Sequence, residues 1–123
     1  MSLLLVERGF GAGSRIALDK FPLTIGRDPS NDIQVNDEEV SRFHLRIKRR
    51  GRLFIAEDLE SRNGTFINGD RILNSIVQNG DKILIGMTEF QFVASEPAIH
   101  LGGELLEYNM SLDEDLGIRG PIP

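Results

Sequence analysis

Apolar and polar residues alternate along most of the chain between positions 3 and 94. This period of two is typical of β-strands that bury one face. The segments that show it most clearly are LLLVE, RIALD, LTIGR, DIQV, FHLRIKR, LFIAEDL, GTFI, KILIG and EFQFVA. No long helical pattern occurs before residue 95. The pattern therefore predicts an all-β domain.

Turn-forming sequences separate these segments, namely GFGAG, DPSND, RRGR, RNG, ING and QNGD. Asn-Gly pairs occur in three of them and suit turns that require positive φ. About nine to eleven short strands joined in this way predict an antiparallel β-sandwich. The loops at one end of such a scaffold are the usual place for binding residues.

The core is expected to come from the apolar residues on one face of each strand. The candidates are Phe21, Ile25, Ile33, Val35, Phe43, Leu45, Ile47, Phe54, Ile55, Phe66, Ile83, Ile85, Phe90 and Phe92.

The alternation ends near residue 95, and the chain becomes richer in Gly, Pro and acidic residues. We therefore expect a domain over residues 1–95 and a short irregular acidic tail over 96–123, with one or two helical turns around GELLEY. Residues 1–95 carry 13 Lys and Arg against 13 Asp and Glu, so the whole net charge of −5 lies in the tail. The tail is typical of a linker or docking segment.

Composition excludes several functional classes. The chain has no Cys and two His, which argues against disulfides, a structural zinc site and other metal sites. The first apolar run, LLLV, is too short for a signal peptide or a membrane span, so we expect a cytoplasmic protein without membrane contact. A balanced body argues against nucleic-acid binding. The basic run over residues 48–52 is interpreted as a solvated turn.

Enzymatic motifs find no support. The stretch GFGAG lacks the spacing and the following helix of a dinucleotide loop, and no phosphate-binding P-loop or nucleophile-elbow motif is present. Ser41 and His44 are three residues apart, which in a strand places them on opposite faces. We therefore expect a binding protein that is not an enzyme and needs no cofactor.

The stretch ESRNGTFINGD, residues 60–70, has three interpretations. Asn63-Gly64-Thr65 fits an N-glycosylation sequon, and Asn68-Gly69 fits a tight hairpin. The whole stretch also fits a loop that presents polar groups to a ligand. Because nothing indicates a secretory compartment, glycosylation is the weakest of the three.

The combination GR (26–27), SRFH (41–44) and SRNGTFING (61–69) resembles the forkhead-associated (FHA) domain family. The resemblance covers roughly residues 3–94. It implies an eleven-stranded β-sandwich that binds phosphothreonine peptides, with Arg27, Ser41 and Arg42 facing the phosphate and the backbone near Arg62 adding a donor. Asn63 would hold the peptide backbone. Solvent exposure remains an alternative role for Arg42 and Arg62, as does a surface ion pair with Asp28 or Asp32 for Arg27.

The remaining motif residues are expected to support the site. By the resemblance His44 is architectural and bonds within the loops that hold the serine. Thr65 would brace its loop, and Gly26 would let the chain turn so that Arg27 points at the loops. Gly64, Asn68 and Gly69 would meet backbone requirements of turns.

The sequence therefore predicts a phosphothreonine-dependent interaction module, part of a signalling protein regulated by Ser/Thr kinases. A phospho-independent scaffold is the alternative. The sequence contains three threonines, Thr24, Thr65 and Thr88, and none lies in the N-terminal arm or the tail. We therefore expect the phosphothreonine to come from another chain, or from sequence outside residues 1–123, rather than from the ends of this one. The acidic loop at residues 36–40 is expected to rim the phosphate pocket and to disfavour acidic peptide residues there.

Overall fold

The computed structural model describes residues 2–94 as a β-sandwich. The tail expected at residues 96–123 lies outside the described residues. The strands are β1 (Ser2–Arg8), β2 (Arg15–Ala17), β3 (Leu23–Gly26), β4 (Ile33–Gln34), β5 (Leu45–Arg50), β6 (Leu53–Asp58), β7 (Thr65–Ile67), β8 (Asp70–Ile72), β9 (Asn74–Val77), β10 (Lys82–Ile85) and β11 (Thr88–Ala94).

Two sheets form the sandwich. One has six strands in the order β2-β1-β11-β10-β7-β8, and the other has five in the order β4-β3-β5-β6-β9. Among the strands of residues 2–94, all pairs are antiparallel except β3 with β4, which run parallel. The predicted fold class and strand number are confirmed, and the parallel pair is the one departure from the expected antiparallel pairing. Within residues 2–94, no helix is long and apolar enough to span a membrane.

The core lies between the sheets and follows the alternation of the strands. Leu4 and Phe90 from the larger sheet, and Ile25 and Ile47 from the smaller one, are at most 1% exposed. The rings of Phe54 and Phe92 meet across the interface with their centroids 5.0 Å apart, a tilted contact that aromatic pairs prefer.

Phe43 departs from the expected core, because its side chain is 49% exposed. Strand β5 begins only at Leu45, and His44 and Leu45 are both fully buried. The alternation therefore breaks immediately before β5, where the chain bends through a loop and places a histidine in the interior.

Candidate functional site

The motif segments meet at one end of the sandwich, although they lie far apart in sequence. Arg27 follows the last residue of β3, and its backbone N–H donates to the carbonyl oxygen of Ser41 at 3.0 Å. The backbone N–H of Arg62, between β6 and β7, donates to the hydroxyl oxygen of Ser41 at 3.0 Å. Ser41 thus links the three segments.

Arg27 is held by its own side chain as well. Its Nε donates to the carbonyl oxygen of Val40 at 2.8 Å, which fixes the plane of the guanidinium and leaves its terminal nitrogens as donors for an anion. The ion pair considered as an alternative is not formed, because Asp28 bonds to Ser30 and Asp32 bonds to Lys20.

Arg42 is exposed and follows Ser41 directly. Hydrogen bonds from Ser30 lower the pKa of Asp28 most strongly, and the nearby positive charges of Arg42 and Arg27 lower it further. Both positive charges are therefore close enough to Asp28 to stabilise its carboxylate. Arg62 is exposed, and its contribution to the described contacts is its backbone N–H.

Ser41 is half-buried, and its hydroxyl is free to donate a hydrogen bond. Since its oxygen accepts from Arg62, its hydrogen remains for another acceptor. The backbone N–H of Ser41 donates to Nδ1 of His44 at 3.0 Å. The serine is thus fixed through its backbone and its side chain.

His44 is fully buried and bonds through both ring nitrogens. Because Nδ1 accepts from Ser41, the proton of the neutral ring lies on Nε2, which donates to the carbonyl oxygen of Gly64 at 2.9 Å. Burial lowers the pKa of His44, although the Gly64 carbonyl and the carboxylate of Asp58 act in the opposite direction. The ring is therefore a neutral connector between two loops.

Gly26 allows two backbone segments to approach closely. A Cβ there would overlap the carbonyl oxygen of Arg42 and would lie 2.9 Å from both the Arg42 carbonyl carbon and Nδ2 of Asn31. The same carbonyl oxygen accepts from the backbone N–H of Asp28 and from Asn31 Nδ2. Gly26 is therefore required by close packing against the 41–42 segment, and not by the chain turn that the sequence suggested.

Asn63 projects from the loop between β6 and β7 toward the loop before Ser41. Its Nδ2 donates to the backbone carbonyl of Glu39 at 2.8 Å and contacts the Glu39 carboxylate at 3.2 Å. The amide nitrogen is thus occupied, and the exposed Asn63 keeps Oδ1 as an acceptor. Gly64, which follows, has a φ of +93°.

Asp58, at the end of β6, organises this loop, and sequence reasoning missed it. Its carboxylate accepts from the backbone N–H of Ser61 at 3.0 Å, the hydroxyl of Ser61 at 2.6 Å and the buried hydroxyl of Thr65 at 2.7 Å. Burial raises the pKa of Asp58, but these hydrogen bonds outweigh it and hold the pKa below its usual value. The signal in the sequence was an Asp three residues before a Ser at a strand end, a common side-chain-to-backbone turn.

Asp37 is a second organiser that the sequence did not single out. Its carboxylate accepts from the backbone N–H of Glu39 at 2.9 Å, from the backbone N–H of Met87 at 2.8 Å and from the hydroxyl of Thr88 at 2.9 Å. It therefore ties the loop before Ser41 to the turn between β10 and β11. The acidic loop at residues 36–40 was expected to rim the phosphate pocket. In the structure, the Asp37 carboxylate is directed at Met87 and Thr88, and Glu39 contacts Asn63.

Asn68 and Gly69 lie away from this cluster, at the opposite end of β7. Both have positive φ, 52° and 91°, and they form the two-residue connection between β7 and β8. This is the backbone of a type I′ hairpin, for which Asn-Gly is favoured. The Asn68 side chain also binds Asp81 and the backbone of Lys82, so it joins this turn to β10.

Comparison with known proteins reveals similar chains. A family model described as "FHA domain" matches residues 23–86. The chain is 40% identical over 92 residues to the oxoglutarate dehydrogenase inhibitor of Corynebacterium jeikeium, a match that covers 75% of this chain and 64% of that protein. It is 38% identical over 92 residues to the glycogen accumulation regulator GarA of Mycolicibacterium smegmatis, covering 75% of this chain and 58% of that protein.

The chain therefore matches less than two thirds of the length of these relatives, whose names are those of an inhibitor and a regulator. A solved structure described as a "structural and functional analysis of phosphothreonine-dependent FHA domain interactions" is also similar. It has a TM-score of 0.71 and 28% identity, and the match covers 77% of this chain and 97% of that one. The family model alone spans more than half of the chain, and together these matches confirm the resemblance seen in the sequence: this chain belongs to the FHA domain family.

Proposed function

We propose that this chain is a phosphothreonine-dependent protein interaction module in which Arg27, Ser41 and Arg42 bind the phosphate. The observation that carries the proposal is the hydrogen-bonded arrangement around Ser41. Arg27 is anchored to Val40 and to the Ser41 backbone, while the Ser41 hydroxyl already accepts from Arg62. The donors are therefore oriented before a ligand arrives.

The chemistry of these donors suits a phosphate monoester. Phosphothreonine carries a charge of about −1.5 to −2 near neutral pH and three acceptor oxygens. Arginine offers parallel donors with a permanent charge, and each charge-assisted hydrogen bond contributes about 1.5–3 kcal/mol. The proposed site combines two Arg guanidinium groups with a Ser hydroxyl. Such a set of donors binds the phosphate of phosphothreonine in preference to the neutral hydroxyl of unmodified threonine.

Asn63 has a separate role in the proposal. Its Nδ2 is held by Glu39, which fixes the amide plane and leaves Oδ1 to accept a backbone N–H from an extended peptide. His44, Gly26, Gly64 and Thr65 support the loops without touching the ligand. Asn68 and Gly69 support the hairpin at the other end of β7.

The phosphothreonine is proposed to be none of the three threonines of residues 1–123. Thr65 and Thr88 are fully buried, and Thr24 lies within β3 and bonds to Asp32. None of these three threonines lies in a segment that occupies the proposed phosphate site. The names of the two relatives are those of an inhibitor and a regulator, so we propose a non-catalytic, cytoplasmic signalling role. Residues 1–95 would form the binding domain, with 96–123 as its linker or docking tail.

Titration of a phosphothreonine peptide library and its unphosphorylated counterpart tests the function. The proposal expects binding only of phosphorylated peptides, and expects Arg27→Ala and Ser41→Ala to weaken it strongly. Arg52→Ala is the matched control, because Arg52 is exposed in the turn between β5 and β6, at the far end of β5 from Ser41. Binding that ignores both the phosphate and Arg27 would contradict the proposal and support a phospho-independent scaffold.

A further inference from the structure

Arg71, on the edge strand β8, lies directly against the loop that contains Asn63 and Gly64. If Gly64 carried a Cβ, that atom would lie 2.7 Å from Arg71 Nε and 2.9 Å from Cζ. The guanidinium therefore packs on the bare backbone of Gly64, in the space that a side chain would fill. β8 pairs only with β7 among the described strands, and Arg71 itself is exposed.

The loop at Asn63 and Gly64 is flanked by opposite charges. The Asn63 side chain reaches toward Glu39, in the loop before β5, whereas the open side of Gly64 faces Arg71. The two residues are consecutive, and their Cα atoms are about 3.8 Å apart. A carboxylate next to Asn63 and a guanidinium next to Gly64 therefore both border one short segment.

Arg71 is also not neutralised by a described neighbour. Within residues 2–94, no carboxylate lies within 4.0 Å of its guanidinium. By contrast, Arg46 pairs with Glu57, and Arg8 pairs with Glu89. Arg71 thus presents its charge and its planar set of donors at the border of the site.

We propose that Arg71 is a specificity-determining residue that selects an acidic side chain in the bound peptide, next to Gly64. This inference rests on the proposed phosphothreonine function, since it assumes a peptide held at Asn63. An extended peptide advances about 3.3 Å per residue, so the selected residue lies one or two positions from the one that Asn63 holds. Carboxylate is the ligand chemistry that a planar guanidinium binds with two parallel bonds.

The test uses one phosphothreonine peptide in which Glu, Gln and Lys are placed in turn at each flanking position. Wild-type protein is expected to prefer Glu over Gln at one position by about two- to fivefold, the range of an exposed ion pair. Arg71→Gln should abolish this preference and Arg71→Lys should keep part of it. Arg52→Gln, which removes an exposed charge far from the site, should leave it unchanged.

The outcomes separate the two proposals. Phosphate-dependent binding without a Glu preference, or a preference that survives in Arg71→Gln, would overturn the role of Arg71 and leave the proposed function intact. Binding that does not depend on phosphate would overturn the proposed function itself. Thermal unfolding of each variant checks that the fold persists. If Arg71→Gln lowers the affinity equally for the Glu, Gln and Lys peptides, Arg71 has a purely structural role and the proposal is overturned.

Discussion

The Nε2–H of His44 donates a hydrogen bond of 2.9 Å to the carbonyl oxygen of Gly64, twenty residues away in the sequence. The other ring nitrogen accepts from the backbone of Ser41. A single buried side chain thus sets the distance between the loop of the proposed phosphate contacts and the loop of the proposed peptide contact. Its replacement should affect stability and binding together.

Replacing His44 with Ala is expected to destabilise the fold by about 2–5 kcal/mol. The change leaves a cavity and removes the partners of a buried N–H and a buried carbonyl. Chemical denaturation measures the loss. His44→Asn is the informative comparison, because its side-chain oxygen reaches about as far as Nδ1 and accepts from Ser41, but no atom reaches Gly64. An intermediate loss is expected, and equal stability of all three proteins would contradict the connector role.

Stability should fall as the pH decreases from about 7 to 5. Burial lowers the pKa of His44 in the folded protein, whereas in the unfolded chain the pKa of this residue is about 6.5. Below that pH the unfolded state binds a proton that the native state does not, so the free energy of unfolding decreases by at most about 1.4 kcal/mol per pH unit from this group.

Chemical denaturation at several pH values, without peptide, measures this slope, and His44→Asn should reduce it. The carboxylates act in a lower range. Hydrogen bonds hold the pKa values of Asp37 and Asp58 below normal despite burial, so their contribution is present above about pH 4 and is lost as the pH falls through their lowered pKa values. A slope between pH 5 and 7 that is the same with and without His44 would contradict the assignment.

Gly26→Ala should be far more damaging than Gly69→Ala. At Gly26 the added methyl group would overlap the backbone of Arg42, and the strand or the 41–42 segment must shift. At Gly69 no atom lies within 4 Å of the added group, so the cost is the positive φ of 91°, about 1–2 kcal/mol. Thermal unfolding and peptide titration compare the two variants. Gly26→Ala should lose more stability and also binding, and equal effects would show that close packing is not the requirement.

Sequence reasoning succeeded where a buried face imposes a pattern. The buried hydrophobic side chains of β1, β3, β5, β10 and β11 follow the period of two, and the Asn68-Gly69 hairpin follows local turn chemistry. Strands β8 and β9 were missed because Val77 is the one buried residue that the two strands contain, so burial enforces no alternation along them.

The site shows the same division. A motif in the sequence selects Arg27, Ser41 and Asn63 as the proposed contacts, but it does not reveal which side chains hold them. Asp58 and Asp37 appear in the sequence as two of many acidic residues, since their partners Thr65 and Thr88 become neighbours only after folding. Gly26 was expected to serve a turn because the close approach of Arg42 depends on the pairing of distant segments.

Asp37→Ala should weaken peptide binding although Asp37 makes no proposed contact with the peptide. The carboxylate connects the loop that precedes Ser41 to Met87 and Thr88, and its loss leaves the backbone N–H of Met87 and the buried Thr88 hydroxyl without this acceptor. We expect a destabilisation of about 1–3 kcal/mol from the unpaired donors. The affinity for phosphothreonine peptide should also fall, because Val40, which orients Arg27, belongs to the same loop.

The control is Glu38→Ala, which removes an exposed carboxylate from the same loop. Removing negative charge near the site should by itself favour a phosphorylated ligand, so electrostatics and loop support predict opposite signs for Asp37→Ala. Titration with one phosphothreonine peptide decides between them. Weaker binding in Asp37→Ala, beside unchanged or tighter binding in Glu38→Ala, is the result expected if the carboxylate acts by holding the loop, whereas tighter binding in both would mean that its charge matters more than its hydrogen bonds.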